Sequence, residues 1–331
     1  MTSLPGIERG RVHNCLEECS TALVRQEIRD GLLESPRRIA SKYFYDARGS
    51  DLFDQICELP EYYPTRTERR LLQSIAPQVA NLTQAEELVE LGSGSASKTG
   101  LLLDALQSSD CLRRYVPLDV SESTVREVAE RFTCSYKQLL VHGIVADFML
   151  HLDCIPTGTK RLFVFLGGTV GNLTPRDAEG FLSRLARTMV PGEYFLLGTD
   201  LIKDVARLEC AYNDSAGVTE EFNRNSLRVI NRLSGADFDP AAFEHRAFYE
   251  VEKHRIEMRL RARSPQTVRL TSLDLEIDFE QGEEILTEIS TKFDRDLVEG
   301  LLEASGFSLV EWFTDSEQLF GLSLARRCDS L

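Results

Sequence analysis

Three short groups of residues carry side chains suited to a nucleoside. In Glu90-Leu91-Gly92-Ser93-Gly94-Ser95-Ala96-Ser97-Lys98, two glycines let the backbone come close to a ligand. Asp119 closes the apolar run RYVPLD and can accept both hydroxyls of a ribose. Asp147-Phe148 pairs an acid with an aromatic, a match for the edge and face of an adenine. A lone G-x-G is weak evidence and is usually a turn. Here the three features close three successive apolar runs, and open parallel sheets bind ligands where their strands end. A dinucleotide fingerprint would place a third glycine at position 97, which is Ser97. A nucleoside without a pyrophosphate is therefore the expected ligand. A fourth group, FLGGTVGNLTP (165 to 175), follows the next apolar run and offers Asn172 as its polar side chain. By turn preference alone, Asn172 between glycine and leucine would be an ordinary turn residue.

To position these groups the chain needs a parallel sheet covered on both faces, whose mark is short apolar runs alternating with helices. Strands are expected at 87 to 92, 114 to 119, 138 to 144, 161 to 167 and 193 to 201, with helices in ASKTGLLLDALQ, ESTVREVAERFTC and RDAEGFLSRLARTM. The alternation then stops for about ninety residues, which hold a helix (DSAGVTEEFNRNSLRVINRL) and two strand candidates (RAFYEVEKHRIEMRLRARS, TVRLTSLDLEIDF). It resumes with a helix at 295 to 306 and two runs, FSLVEWFTD and LFGLSLARR, near enough for an antiparallel hairpin. The first eighty residues read as helical in STALVRQEIRDGLL and TERRLLQSIAPQVANL, around a loop-like aromatic stretch at 42 to 68.

The expectation is an α/β fold: a seven-stranded class I (Rossmann-like) methyltransferase sheet with a C-terminal antiparallel hairpin, plus a second α+β lobe. The sheet domain should comprise 67–202 and 291–331, and the lobe, which would bind the substrate, 1–66 and 203–290.

Composition narrows the partners. With 53 acidic and 38 basic residues the formal charge is −15, which repels a nucleic-acid backbone. No apolar run approaches the roughly 18 residues of a membrane span, and MTSLPGIERGRVHNC lacks the layout of a signal peptide. A cytoplasmic protein is expected. The eight cysteines, Cys15, Cys19, Cys57, Cys111, Cys134, Cys154, Cys210 and Cys328, show no CxxC spacing and read as reduced core or surface residues. The five histidines form no HxxxH pair, so no metal site is expected.

Glu90 before the first glycine makes the E-x-G-x-G of methyltransferases. The tetrapeptide N/D-P-P-Y/F of many amino-methyltransferases is absent. The segments LPEYYPTRTE, FYDARGSDLF, GGTVGNL, AYND..GVT..FN.N.L, IEMRLRA and TEIS.KF together resemble the histidine Nα-methyltransferase family of the ergothioneine pathway, over nearly the whole chain. The resemblance implies a monomer that makes the trimethylated betaine of free L-histidine, hercynine, from three molecules of S-adenosylmethionine. By motif, it assigns Tyr62, Asn172 and Tyr212 to the amino and carboxylate ends of the amino acid. Tyr45 and Phe53 line the same pocket, Glu288 and Ser290 hydrogen-bond the imidazole, and Met258 packs beside the ring. Gly92, Gly94, Lys98, Asp119, Asp147 and Phe148 fall on the cofactor side. Two positions depart from the family pattern: Gly168, where serine is commoner, and Asn213, where a second aromatic or an acid is.

These residue types suit the chemistry. A carboxylate accepts an imidazole N–H in a charge-assisted bond, and tyrosines supply apolar walls with a hydroxyl tip. With no strong base evident, Tyr45 and Asn172 are expected to orient the amine while water removes its proton. Two other readings share the motifs: an N-methyltransferase for tryptophan, tyrosine or a decorated indole, and a non-catalytic sensor of S-adenosylmethionine.

Overall fold

The computed structural model describes residues 10–16, 21–158 and 160–329. Cys19 and residues 1–9, read above for a leader, lie outside the described residues. In chain order come β1 (Gly10–Asn14), α1 (Thr21–Leu33), β2 (Arg37–Arg38), α2 (Ala47–Glu58) and α3 (Tyr63–Thr83). The alternating part follows with β3 (Glu87–Leu91), α4 (Thr99–Ser108), β4 (Arg114–Asp119), α5 (Glu122–Ser135), β5 (Leu140–Val145), β6 (Arg161–Phe165), α6 (Pro175–Thr188) and β7 (Tyr194–Asp200). After it run α7 (Val205–Tyr212), α8 (Val218–Ser234), β8 (Phe243–Glu250), β9 (Arg255–Ala262), β10 (Gln266–Leu270), β11 (Leu275–Phe279) and β12 (Glu284–Thr291). The chain then returns through α9 (Arg295–Ala304), β13 (Phe307–Thr314) and β14 (Phe320–Arg327).

The main sheet has the order β1-β5-β4-β3-β6-β7-β14-β13. It is parallel from β1 to β7, and the β13–β14 hairpin joins β7 antiparallel. The sheet has eight strands where seven were expected. The eighth, β1, pairs parallel with the β5 edge from Gly10↔Val141 to Asn14↔Val145. Its sequence, GRVHN, has one apolar residue and so no strand pattern of its own.

Both sheet faces are covered. Leu88, Tyr115, Val141 and Leu162 pack with Leu72 of α3 and Leu103 of α4. Val89, Val116, Ile144 and Phe163 pack with Phe181 and Leu185 of α6. A second sheet of order β2-β12-β9-β8 is backed by α1 and α8 through Leu32, Leu227, Ile230, Leu260 and Ile285, while β10 and β11 form a separate hairpin.

Three local expectations change. Each long alternating stretch is two strands with a turn between them: β8 and β9 turn at 251–254, and β10 and β11 at 271–274. The turns carry left-handed residues, His254 and Asp274, which a binary apolar pattern does not reveal. The aromatic stretch at 42–68 contains α2, capped by Asp46 accepting from the Gly49 N–H. Gly49 reads as a helix breaker, but a Cβ there would sit 1.6 Å from the Phe44 carbonyl oxygen, so only glycine permits this approach. Finally, Cys15 and Cys154 form a disulfide rather than separate thiols. They are 139 residues apart in sequence and meet because β1 docks on β5, which carries Cys15 toward the segment after β5.

Candidate functional site

The strands from β5 to β6 end at one side of the sheet, and the turns that follow them face the second sheet across a cavity of about 1150 Å³. All fourteen residues singled out above line it: Tyr45, Phe53, Tyr62, Gly92, Gly94, Lys98, Asp119, Asp147, Phe148, Asn172, Tyr212, Met258, Glu288 and Ser290.

On the sheet side, Gly92 and Gly94 both have positive φ, the conformation that favours glycine. A Cβ at Gly94 would meet nothing within 4 Å, so the space beside this turn is open. The Gly94 N–H donates to Asp119 Oδ2 at 2.9 Å, and the Ser121 N–H to Oδ1 at 3.0 Å. Burial pushes the Asp119 carboxyl up despite these bonds. Asp147 accepts from Lys42 Nζ at 3.3 Å and from the Met149 N–H at 2.8 Å. Phe148 packs against Phe165 and Phe181, with ring centroids 5.1 and 5.4 Å away. Open space beside a glycine turn, a carboxylate on the next strand and a fixed aromatic on the third fit S-adenosylmethionine. So does the buried Ser93 hydroxyl, which has no partner among the described residues.

Two acids beneath this turn hold it in place. Glu90, fully enclosed, accepts from Thr99 Oγ1 at 2.5 Å and from the Tyr115 hydroxyl, and burial raises its carboxyl to about 7. Glu68 of α3, with no exposed surface, accepts from Lys98 Nζ and, at 2.8 Å, from the Gly167 N–H. It thereby ties the turn after β3 to the turn after β6, a role that an amphipathic helix pattern did not disclose.

The opposite wall is aromatic. Tyr45, at the end of the Ser41–Phe44 turn, meets Phe53 of α2 and Phe222 of α8 edge-on at 5.6 Å each. Tyr62 stands edge-on to Tyr212 at 6.3 Å. Burial is the first cause that holds the phenols of Tyr45, Tyr62 and Tyr212 above their ordinary range, so all three stay protonated. Asn172 ends the Thr169–Asn172 turn, which packs on β12 so closely that a Cβ at Gly171 would lie 2.7 Å from the Thr291 carbonyl oxygen.

Glu288 and Ser290 alternate along β12 and so share a face. Glu288 lies opposite Met258 of β9, next to a bulge at Thr287. The Thr287 hydroxyl donates to Asn223 Oδ1 at 2.7 Å. Asn223 donates to His245 Nδ1 at 2.9 Å, which leaves Nε2–H to donate to the Tyr212 carbonyl at 2.9 Å. Among the described residues the Glu288 carboxylate has no hydrogen-bond or ion-pair partner. Burial pushes it up to about 7, with Lys292 pulling the other way.

Sequence reasoning missed a buried ionic cluster behind this wall. Asp200, at the end of β7, accepts from Tyr63 at 2.8 Å, Lys292 at 2.8 Å and Lys203 at 2.5 Å. Burial opposes its charge, but the two lysines outweigh it and hold the carboxyl below its usual range. The available signal was an acid at a strand end, the same signal that marked Asp119.

A parallel sheet with strand order reversing at β3, a glycine turn at that switch point and a C-terminal antiparallel hairpin define a class I, S-adenosylmethionine-dependent methyltransferase. The family model described as histidine-specific methyltransferase, SAM-dependent, matches residues 24–327, and the chain belongs to that family. It is 49% identical to the histidine N-alpha-methyltransferase of Mycolicibacterium smegmatis, over 92% of this chain and 95% of that one. Identity to the protein of the same name from Mycobacterium tuberculosis is also 49%, over 94% and 97% of the two chains. Ergothioneine biosynthesis protein 1 of Neurospora crassa is 28% identical over 88% of this chain, which spans 33% of that longer protein.

Proposed function

We propose that this chain transfers methyl groups from S-adenosylmethionine to the α-amino nitrogen of free L-histidine, carrying it to the trimethylated betaine, hercynine, in ergothioneine biosynthesis. The observation that carries the substrate reading is Glu288: a buried carboxylate without a partner among the described residues, lining the cavity together with Tyr45, Phe53, Tyr62, Tyr212 and Met258. Burying such a group unpaired is costly, so its presence calls for a ligand donor.

Gly92, Gly94, Lys98, Asp119, Asp147 and Phe148 would hold the cofactor, with Asp119 on the ribose hydroxyls and Phe148 on the adenine face. Bound there, S-adenosylmethionine supplies a methyl group made electrophilic by its sulfonium. Tyr62 takes the substrate carboxylate, Tyr212 accepts at the amino end because its one proton goes to Ser290, Phe53 and Met258 bound the ring, and Glu288 and Ser290 hold the imidazole. Tyr45 and Asn172 orient the amine. None of the three phenols is the base, because burial keeps them protonated; the ammonium proton leaves to water, and catalysis is mainly orientation and exclusion of solvent.

The cofactor domain comprises 67–202 and 291–331, with β1 added at its edge, and the substrate lobe the rest of 1–66 and 203–290. The enzyme acts as a monomer in the cytoplasm. No described helix is long and apolar enough to cross a membrane. Mass spectrometry of the purified protein incubated with histidine and S-adenosylmethionine tests the proposal. Trimethylhistidine is the expected product; turnover of tryptophan or tyrosine in preference to histidine would refute it.

A further inference from the structure

Lys292 lies behind the substrate wall with no exposed surface. Its three N–H groups go to Asp200 Oδ2 at 2.8 Å, Ser290 Oγ at 2.8 Å and the Tyr212 hydroxyl at 3.1 Å. Tyr212 in turn donates to Ser290 Oγ at 2.8 Å. A serine oxygen has two lone pairs and one proton. Both lone pairs of Ser290 are taken, so its O–H is left to donate, and Ser290 lines the cavity. No acceptor for that proton is found among the described residues. Glu288, two residues back on the same strand face and so roughly 7 Å away along the backbone, can only accept while ionised. This stretch of wall thus offers one donor and one acceptor at a spacing suited to the two nitrogens of an imidazole.

We propose that Lys292 is a positioning residue that fixes Ser290 as a hydrogen-bond donor, so that the site binds histidine with its imidazole neutral and discriminates against imidazolium. The proposal rests on the histidine reading above. A neutral imidazole has one N–H for Glu288 and one bare nitrogen for Ser290; imidazolium has two N–H groups and would set one against the Ser290 proton. The charges around the ring pull in both directions. Glu288 on β12 favours imidazolium. Against it stand Lys292 and Lys203 opposed by the single charge of Asp200, one net positive charge in this corner until Lys203, lowered by burial to about 8, loses its proton. Arg255 of β9 adds another cation, though Glu257 pairs with it at 2.9 Å. Tyr45, Tyr62, Tyr63, Tyr212 and, on β8, Tyr249 are uncharged phenols. His254, in the turn before β9, takes the Lys292 backbone N–H on its carbonyl oxygen.

Calorimetric titration of histidine into the enzyme with S-adenosylhomocysteine tests this between pH 5.5 and 8, in buffers of different ionisation heat. The wild type should bind more tightly as pH rises through the ordinary imidazole value of ~6.5, by up to about tenfold per pH step for each proton lost, one from imidazolium and one from Glu288, whose carboxyl burial raises to about 7. Lys292→Met should flatten that acid-side loss by tenfold or more, because imidazolium then becomes acceptable. A wild-type affinity that peaks near pH 6.5 and falls toward pH 8, with proton uptake, would overturn the proposal. So would a Lys292→Met enzyme that loses stability and turnover but keeps the wild-type pH profile. Because Glu288 titrates in the same window, the 15N shifts of ring-labelled histidine in the wild-type ternary complex decide the ring's charge state even if Lys292→Met does not fold. If histidine neither binds nor is methylated at any pH, the proposed function fails instead; methylation with imidazolium bound sinks only the present inference.

Discussion

Removing Glu288 perturbs binding and stability in opposite directions, and both can be sized from the site. Burial moves its carboxyl from 4.5 to about 7, with Lys292 opposing the shift. The charged form is therefore disfavoured in the folded state. The stability that the protonated group allows is complete below the unfolded value near 4.5 and is lost as pH rises through 7. The full difference corresponds to about 3 kcal/mol at most. Glu288→Ala should then raise the melting temperature at pH 8 and change it little at pH 4.5. For binding, a hydrogen bond to an ionised acceptor contributes about 1.5 to 3 kcal/mol, so kcat/KM for histidine should fall roughly ten- to hundredfold. The loss should appear mainly in KM for histidine, with the affinity for S-adenosylmethionine nearly unchanged. Steady-state kinetics and thermal melts at the two pH values check both halves. An alanine variant with wild-type histidine kinetics would refute the pocket assignment, and one less stable than wild type at pH 8 would refute the electrostatic argument.

On the cofactor side, Asp119→Ala should weaken S-adenosylmethionine binding by about 1 to 3 kcal/mol, through the unpaired ribose hydroxyls and the freed Gly94 N–H; calorimetry showing unchanged affinity would contradict that role. Gly49→Ala should destabilise the fold by about 3 kcal/mol, since its Cβ would lie 1.6 Å from the Phe44 carbonyl oxygen and backbone must move. A melting temperature within a degree of wild type would show that α2 is looser than described. With excess S-adenosylmethionine the end product should be trimethylhistidine, because anchoring the carboxylate and the imidazole leaves the amine free to shed protons between transfers. Time-resolved mass spectrometry that ends at the monomethyl stage would refute this.

What could be read from sequence followed the physics of each element. The five central strands carry a local signal, because a parallel strand buried on both faces must be continuously apolar. RYVPLD and RLFVF accordingly become β4 and β6 within a residue or two of their expected limits. β1 carries no such signal: GRVHN is a strand only because the β5 edge offers it a ladder. α2 was hidden for the opposite reason. Gly49 and the acids around it weaken helix propensity locally, and tertiary packing against Phe44 and Phe222 overrides that preference. The Cys15–Cys154 pairing depends on β1 and so was equally out of reach.

The site divides along the same line. The cofactor-side residues that face the cavity sit in turns or at strand ends, where motif spacing survives; Phe53 of α2, Met258 of β9 and Glu288 and Ser290 of β12 lie within elements, and the structure gathers all fourteen around one cavity. Residues that hold those side chains in place come from unrelated stretches and show no spacing. Glu68 looks like one polar position of an amphipathic helix, yet it has no exposed surface and bridges two turns. Lys292 falls within TEIS.KF, but the motif assigns it no role, and a lysine there would normally be read as an exposed strand end. Only the meeting of β7, α7 and β12 turns it into a buried cation with three partners. Its position also decides what Ser290 can do, since a hydroxyl whose lone pairs are filled from behind can only donate forward. Substrate choice therefore depends on a residue that the substrate does not touch, and swapping cavity-lining side chains other than Ser290, Tyr212 and Glu288 while keeping Lys292 should leave the preference for a ring nitrogen acceptor in place.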